Sequence, residues 1–233
     1  MAEPAHAPLI VAIDGPSGVG KTTTSKLVAR ALAIPHIDTG AMYRALGLAA
    51  IRRGIDVKDA ARLEPLAHEM RIEFVPGDVP RVLLNGEDIT HLIRTPEISM
   101  AASHVSAASG VRRELVRLQQ ELGREKGGVL EGRDIGTKVF PETPHKFFLT
   151  ARPNVRADRR YRELLAKGQV VDYDKVLAET VQRDEQDSTR ADSPLMYDAT
   201  YTVVDTSDLS IPAVVECIVE AVRGTAGVRL MGS

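Results

Sequence analysis

Cysteine is almost missing from this chain: Cys217 is the only one in 233 residues. An internal disulfide and a cysteine-built metal cage are therefore excluded, which fits a reducing compartment. Cys217 lies in an apolar stretch and is expected to be a buried, inert side chain. Histidine is sparse as well. His6, His36, His68, His91, His104 and His145 are scattered without metal-ligand spacing and are read as non-functional. Neither sign of charge is in large excess: the net charge is -2, with 27% charged residues. Wholesale attachment to nucleic acid or to an anionic membrane would want a strong basic surplus, so neither is expected as a partner. Long apolar runs are missing too. Met1 to Pro8 has no basic segment, and Leu9 to Ile13 is too short for a signal peptide or a membrane span. The expected location is the cytoplasm.

What is present suits one good-sized domain with a core of its own, at 43% hydrophobic residues. The short apolar run Leu9–Ile13 reads as a strand buried on both faces, Gly128–Leu130 and Lys146–Leu149 as further buried strands, and Ile34–Asp38 and Tyr201–Val204 as strands too. Between them come segments of helical period: Lys21–Leu32, Ala41–Arg53, Asp59–Met70, Pro96–Ala108, Val111–Lys126, Asn154–Lys167, Asp174–Asp187 and Ile211–Arg223. The tail from Thr225 to Ser233 reads as frayed. From Arg71 to Arg94 the pattern alternates and is broken by Pro76-Gly77-Asp78 and Asn85-Gly86, the signature of a small antiparallel insertion. Strands alternating with helices predict an α/β fold, a parallel sheet with helices on both faces.

The strongest local signal is Gly15-Pro16-Ser17-Gly18-Val19-Gly20-Lys21-Thr22, which matches G-x-x-x-x-G-K-[ST] in full between a strand and a helix. Glycines let backbone N–H groups turn inward around phosphate oxygens, and the helix N-terminus adds partial positive charge. Lys21 is expected to reach the β- and γ-phosphates, and Thr22 to offer its hydroxyl to Mg²⁺. The reading is a nucleoside triphosphate site.

A phosphate loop names no reaction. A GTPase would carry N-K-x-D, yet neither Asn85 nor Asn154 is followed by lysine. Glu131 ends a short strand, as the water-activating acid of a mechanical ATPase commonly does, so that feature decides nothing. Three charged clusters favour a kinase for small phosphorylated acceptors: Asp38–Arg44, Glu131–Thr137 and Arg183–Arg190. The first two follow strands, at the end of a parallel sheet where ligands bind. Arg183 and Asp187 lie one helical turn apart, which also suits an ordinary surface ion pair. The basic stretch from Arg152 to Arg162 also suits a solvated helix face or a weak nucleic-acid patch.

Together with Ala101-Ala102-Ser103, these segments resemble the bacterial cytidylate kinases of the nucleoside monophosphate kinase family, from about Leu9 to Arg223. One stretch departs from the pattern. After Pro194-Leu195 the family's A-x-D-A is replaced by Asp198-Ala199-Thr200-Tyr201, which is assigned no role.

The resemblance implies one kinase domain over 9–223, with the phosphate loop at 15–22, a monophosphate-binding insertion at about 59–109 and a lid at about 151–168. Residues 1–8 and 224–233 would be tails. ATP would lie on Gly15 to Thr22 and Thr23, with Mg²⁺ on Thr22 and a second, water-mediated contact from Asp38 or Glu131. CMP or dCMP would meet Thr39, Tyr43, Arg44, Ser103, Arg112, Arg133, Asp134, Arg183, Asp187 and Arg190. Arg44, Arg133 and Arg190 would hold its phosphate, because a planar guanidinium binds phosphate oxygens in pairs. Asp134 would accept from the cytosine amino group and repel the carbonyl that uracil presents there. Lys21, Arg133, Arg156, Arg160 and Arg190 would neutralise the transferring group, and no general base is nominated, since the acceptor oxygen is already anionic. A monomer is expected. A kinase of UMP, AMP or a small metabolite, and a non-catalytic nucleotide-binding regulator, are the competing readings.

Overall fold

A buried strand has to cover two faces with apolar side chains, and Ile10–Asp14 (β1) does so: Val11, Ala12 and Ile13 are fully buried. The computed structural model describes residues 8–75, 77 and 80–230, with 225–230 described by backbone alone. After β1 come helix α1 (Lys21–Leu32), strand β2 (His36–Asp38) and helices α2 (Thr39–Arg52) and α3 (Ala60–Glu69). Strands β3 (Ile72–Val75), β4 (Arg81–Leu84) and β5 (Glu87–Asp88) follow, then helices α4 (Pro96–Val105) and α5 (Ser109–Lys126). The chain continues with β6 (Gly128–Gly132), β7 (Lys146–Thr150), α6 (Pro153–Ala166), α7 (Tyr173–Ser188), β8 (Thr202–Asp205) and α8 (Ile211–Leu230).

The chain divides into two compact units, residues 37–126 and the segments on either side of them. In the first, formed by the flanking segments, β1 runs parallel to both β6 and β7, and β7 parallel to β8, within a five-stranded sheet of order β2-β6-β1-β7-β8. The expected α/β class is the observed one. Its core joins Val11 and Ile13 to Val28 of α1, Phe147 and Leu149 of β7, and Val214, Ile218 and Val222 of α8. Register places Asp14 opposite Gly132 on one side and Phe148 on the other, so the chain leaves β1 and β6 at the same edge.

The second unit is built around α2, whose Met42, Ala45 and Leu46 meet Leu63, Ile93, Ile98 and Leu115. An antiparallel sheet, β3-β4-β5, lies in the same unit, with Ile72 opposite Leu84 and Leu84 opposite Glu87. Asn85 and Gly86 both have positive φ, 51° and 86°, as a two-residue hairpin turn requires. Of the other turn signal, Pro76 and Asp78 lie outside the described residues, as do the tail residues 1–7 and 231–233.

Two expectations are corrected. Cys217 is exposed, because Val214, Ile218 and Val222 take the inward positions of α8 and leave Cys217 on its outer side. That helix also runs past Arg223 to Leu230: no proline follows Pro212 to remove a backbone donor, so the ladder continues.

Leu115→Ala should cost about 2–5 kcal/mol of stability, since it empties a fully buried position. Met100→Ala, on an exposed position of α4, should stay within about 0.5 kcal/mol. Urea unfolding of the two variants checks the difference.

Candidate active site

The phosphate loop occupies the turn from β1 into α1. Gly15 has φ 143°, and a Cβ there would stand 2.1 Å from the Leu149 carbonyl oxygen, so only glycine lets the loop lie against β7. Gly20 caps α1 without a side-chain hydrogen bond, leaving the first amide donors of that helix for a ligand. Two side chains brace the loop from behind. The Thr206 hydroxyl donates to the Val19 carbonyl at 3.0 Å, and Arg156 donates to the Ser17 carbonyl at 3.1 Å.

Lys21 is buried, and its ammonium donates to the carbonyls of Gly15 at 2.7 Å and Pro16 at 2.5 Å. Burial first, and then the Arg133 guanidinium, pull its pKa well below the ordinary lysine value, against the opposing charges of Glu131 and Asp187. An anionic ligand would relieve that strain on the charge. Beside Lys21, the Thr22 hydroxyl donates to Glu131 Oε2 at 3.0 Å, and His36 Nε2 lies 3.0 Å from Glu131 Oε1. A hydroxyl and a carboxylate are the hard oxygen donors that suit Mg²⁺ shared with phosphates and water.

Arg133 leaves the end of β6 and donates from Nε to Asp187 Oδ2 at 2.8 Å. Asp187, near the end of α7, also faces Arg190, whose Nη1 is 3.5 Å from Oδ1; Arg190 Nη2 donates to the Ser193 carbonyl at 2.9 Å. Burial works against the Asp187 charge. Arg133, by charge and hydrogen bond, then Arg190 and Arg183, outweigh it and hold the carboxyl below the usual carboxylate range. The first unit thus brings Lys21, Arg133, Arg183, Asp187 and Arg190 into one electrostatic cluster. Asp134 follows Arg133 directly, is buried, and its carbonyl starts the wide turn Ile135–Val139 by accepting from Lys138 at 2.9 Å.

The arginines of α6 are engaged with protein. Arg156 is buried and pairs with both oxygens of Asp184 on α7, besides donating to the carbonyls of Ala151 and Ser17. Arg160 pairs with Glu163 at 2.9 Å. Arg159 donates to the Thr206 carbonyl at 2.6 Å and to its hydroxyl at 3.2 Å.

In the second unit, Asp38 caps α2 by accepting from the Ala41 amide at 3.0 Å and binds Arg44 Nη2 at 2.6 Å. The Nε of Arg44 is buried with no hydrogen-bond partner among the described residues. Arg112 of α5 is buried with its guanidinium 5.5 Å from the Tyr43 ring centre, and donates to the Ser106 carbonyl at 3.3 Å. Thr39 is buried at the start of α2. Ser103 lies on α4, half-buried, and its carbonyl accepts from the Ser106 hydroxyl at 2.8 Å. The helices α2 and α4 pack closely at Gly47, where a Cβ would stand 3.0 Å from that of Ala101.

Sequence reasoning passed over Asp14, His36, Asp184, Tyr201 and Thr206. The signal for Asp14 was available: a charged residue closing a buried apolar strand must find donors inside the protein. The others become partners only through the tertiary fold.

Asp187→Asn leaves two half-buried guanidinium groups, Arg133 and Arg190, without their counter-charge, and should lower stability by about 1–3 kcal/mol at pH 7. Because the native pKa is depressed, the carboxylate stabilises above its unfolded value near 3.8. That contribution is lost as pH falls through the lower native value. The gap between the two proteins should therefore close in acid, as denaturant titrations across that range would show.

Residues 11–224 match the family model for cytidylate kinase. A cytidylate kinase of Geobacter sulfurreducens is 50% identical over 216 residues, covering 92% of this chain and 93% of the other. One of Syntrophotalea carbinolica is 49% identical over 215 residues, covering 92% of each. Among solved structures, an uncharacterized protein of Eubacterium ventriosum superposes with a TM-score of 0.54 at 13% identity, over 93% of this chain and 98% of that one, a likeness of fold alone. On the family model and these identities over nearly the full length, the chain belongs to the cytidylate kinase family.

Proposed function

We propose that the protein transfers the γ-phosphate of ATP to CMP or dCMP, giving CDP or dCDP and ADP. Family membership supports the activity. The observation that carries the chemistry is the cluster of Lys21, Arg133, Arg183 and Arg190, opposed by Glu131 and Asp187 and, at Arg133, by Asp14, beside a glycine loop that opens a helix without a side-chain cap. A cluster with surplus positive charge of this kind suits phosphate groups.

ATP rests on Gly15 to Thr23 in this reading, with the phosphate-loop amides cradling its oxygens. Lys21 gives up its two carbonyl partners for the β- and γ-phosphates. Thr22 and Glu131 would hold Mg²⁺, since Asp38 is already taken up by Arg44 and the Ala41 amide. Bound there, Mg²⁺ supplies charge neutralisation on the phosphates. The acceptor residues in this reading are Thr39, Tyr43, Arg44, Ser103, Arg112, Arg133, Asp134, Arg183, Asp187 and Arg190. Arginines steer the acceptor phosphate, Asp187 and Arg183 the sugar, and Asp134 the cytosine amino group. The acceptor oxygen arrives ionised, so catalysis is alignment plus charge neutralisation, with no general base.

We assign α6 to a lid over ATP, running from about 151 to 168. Arg156 acts there as the pivot, tied to the phosphate loop through Ser17, and Arg160 as the arm that exchanges Glu163 for phosphate. Closure keeps water from the transferring group. The protein acts as a monomer in the cytoplasm; no helix among the described residues is long and apolar enough to cross a membrane.

A coupled ADP-release assay over CMP, dCMP, UMP and AMP tests the reading. The cytidine nucleotides should turn over fastest, and faster turnover of UMP or AMP would reject it. Asp134→Ala should narrow the preference for CMP over UMP by about tenfold or more. Lys21→Ala should reduce turnover at least about a hundredfold with an unchanged circular dichroism spectrum.

A further inference from the structure

Asp14 is fully buried at the end of β1, directly before the first glycine of the phosphate loop. A carboxylate in that position is costly unless it is completely hydrogen-bonded. Here it accepts three donors: the Ile135 amide at 2.9 Å, the Gly136 amide at 2.9 Å and the Tyr201 hydroxyl at 2.8 Å. None of these belongs to the phosphate loop. Two are the backbone of the turn that follows Arg133 and Asp134, and the third comes from the segment before β8 that departs from the family pattern.

That segment is built to deliver the phenol. Asp198 accepts from the Thr200 amide at 2.8 Å, the Lys146 ammonium donates to the Thr200 hydroxyl at 3.1 Å, and the same ammonium lies 5.9 Å from the Tyr201 ring centre. Phe148 meets the ring edge-on at 6.3 Å. Gly136 completes the fit, since a Cβ there would stand 2.5 Å from the Tyr201 oxygen. Any side chain at 136 would push the phenol off the carboxylate.

Strand pairing fixes Gly132 opposite Asp14, ahead of Arg133, and the Asp14 carboxylate fixes Ile135 and Gly136 behind Asp134. Arg133 and Asp134 are thus held from both sides by one residue. We infer that Asp14, backed by Tyr201, is a positioning residue for the acceptor half of the reaction: it sets the turn that presents Arg133 and Asp134, and touches no substrate itself. The inference rests on the acceptor roles proposed above for those two residues. Burial pushes the Asp14 carboxyl up to about 6, against the two amide bonds that pull it down, so at neutral pH it is ionised and a pure acceptor. Asparagine cannot replace it, because its amide oxygen accepts but its NH₂ would face a donor.

The test compares wild type, Asp14→Asn and Tyr201→Phe in steady-state kinetics with CMP and UMP, alongside equilibrium binding of a fluorescent ATP analogue. For Asp14→Asn the KM for CMP should rise about tenfold or more and the CMP-over-UMP preference should shrink. Affinity for the ATP analogue should change by less than about threefold. Tyr201→Phe, which keeps both amide bonds, should move the same two quantities in the same direction by about two- to fivefold, and decides the matter if Asp14→Asn does not fold. Variants in which CMP and ATP constants worsen together, or in which the CMP constants stay at wild-type values, overturn the inference. A wild type that does not phosphorylate CMP overturns the acceptor roles themselves, and this inference with them.

Discussion

An ammonium ion withdrawn from water must be compensated by nearby oxygens, and Lys21 is compensated only in part. Two carbonyls of its own loop bind it, and Glu131 and Asp187 oppose its charge, while Arg133 and Arg183 add to it. A buried site with surplus positive charge binds anions strongly because little solvent stands between the charges. Much of the first unit follows from keeping that surplus in place. Asp187 neutralises just enough of it for Arg133, Arg183 and Arg190 to share one pocket of charge. The backbone of the loop is pressed against β7 by a glycine that admits no side chain.

The charges are held indirectly. Arg156 does not end in solvent; it is clamped to Asp184 and reaches the carbonyl of Ser17, which couples α6, α7 and the phosphate loop through one side chain. A guanidinium suits that task because its planar fork serves a carboxylate and a carbonyl at once. Thr206 and Asp14 perform comparable duties for Val19 and for the turn after Asp134. Each of these groups is polar, buried and saturated, as the cost of an unsatisfied buried polar atom demands.

The second unit solves a different problem. Its helices α2 and α4 pack through small side chains: Gly47 and Ala101 let the two approach so closely that an added methyl group at Gly47 would be crowded. Asp38 turns the start of α2 and holds Arg44 in the same step. The Arg112 guanidinium lies over the Tyr43 ring, 5.5 Å from its centre, which restricts both side chains.

The sequence by itself determined the alternation of strands and helices, because buried parallel strands leave continuous apolar runs and the helices keep their period. It also determined the phosphate loop, whose spacing is dictated by the geometry of phosphate. The Asn85-Gly86 hairpin turn was equally legible, since only certain residues take positive φ. What the sequence could not contain is which charges would share space. That Asp187 answers Arg133, that Glu131 joins Thr22 to His36, and that Tyr201 reaches Asp14 were decided by the tertiary structure. So was the outward turn of Cys217, a matter of which face of α8 met the sheet. The physical reason is common to all four: local pattern fixes the conformation of a segment, whereas its partners across the fold, in a hydrogen bond, an ion pair or a buried helix face, depend on sheet order, register and packing, which bring residues together whatever their separation along the chain.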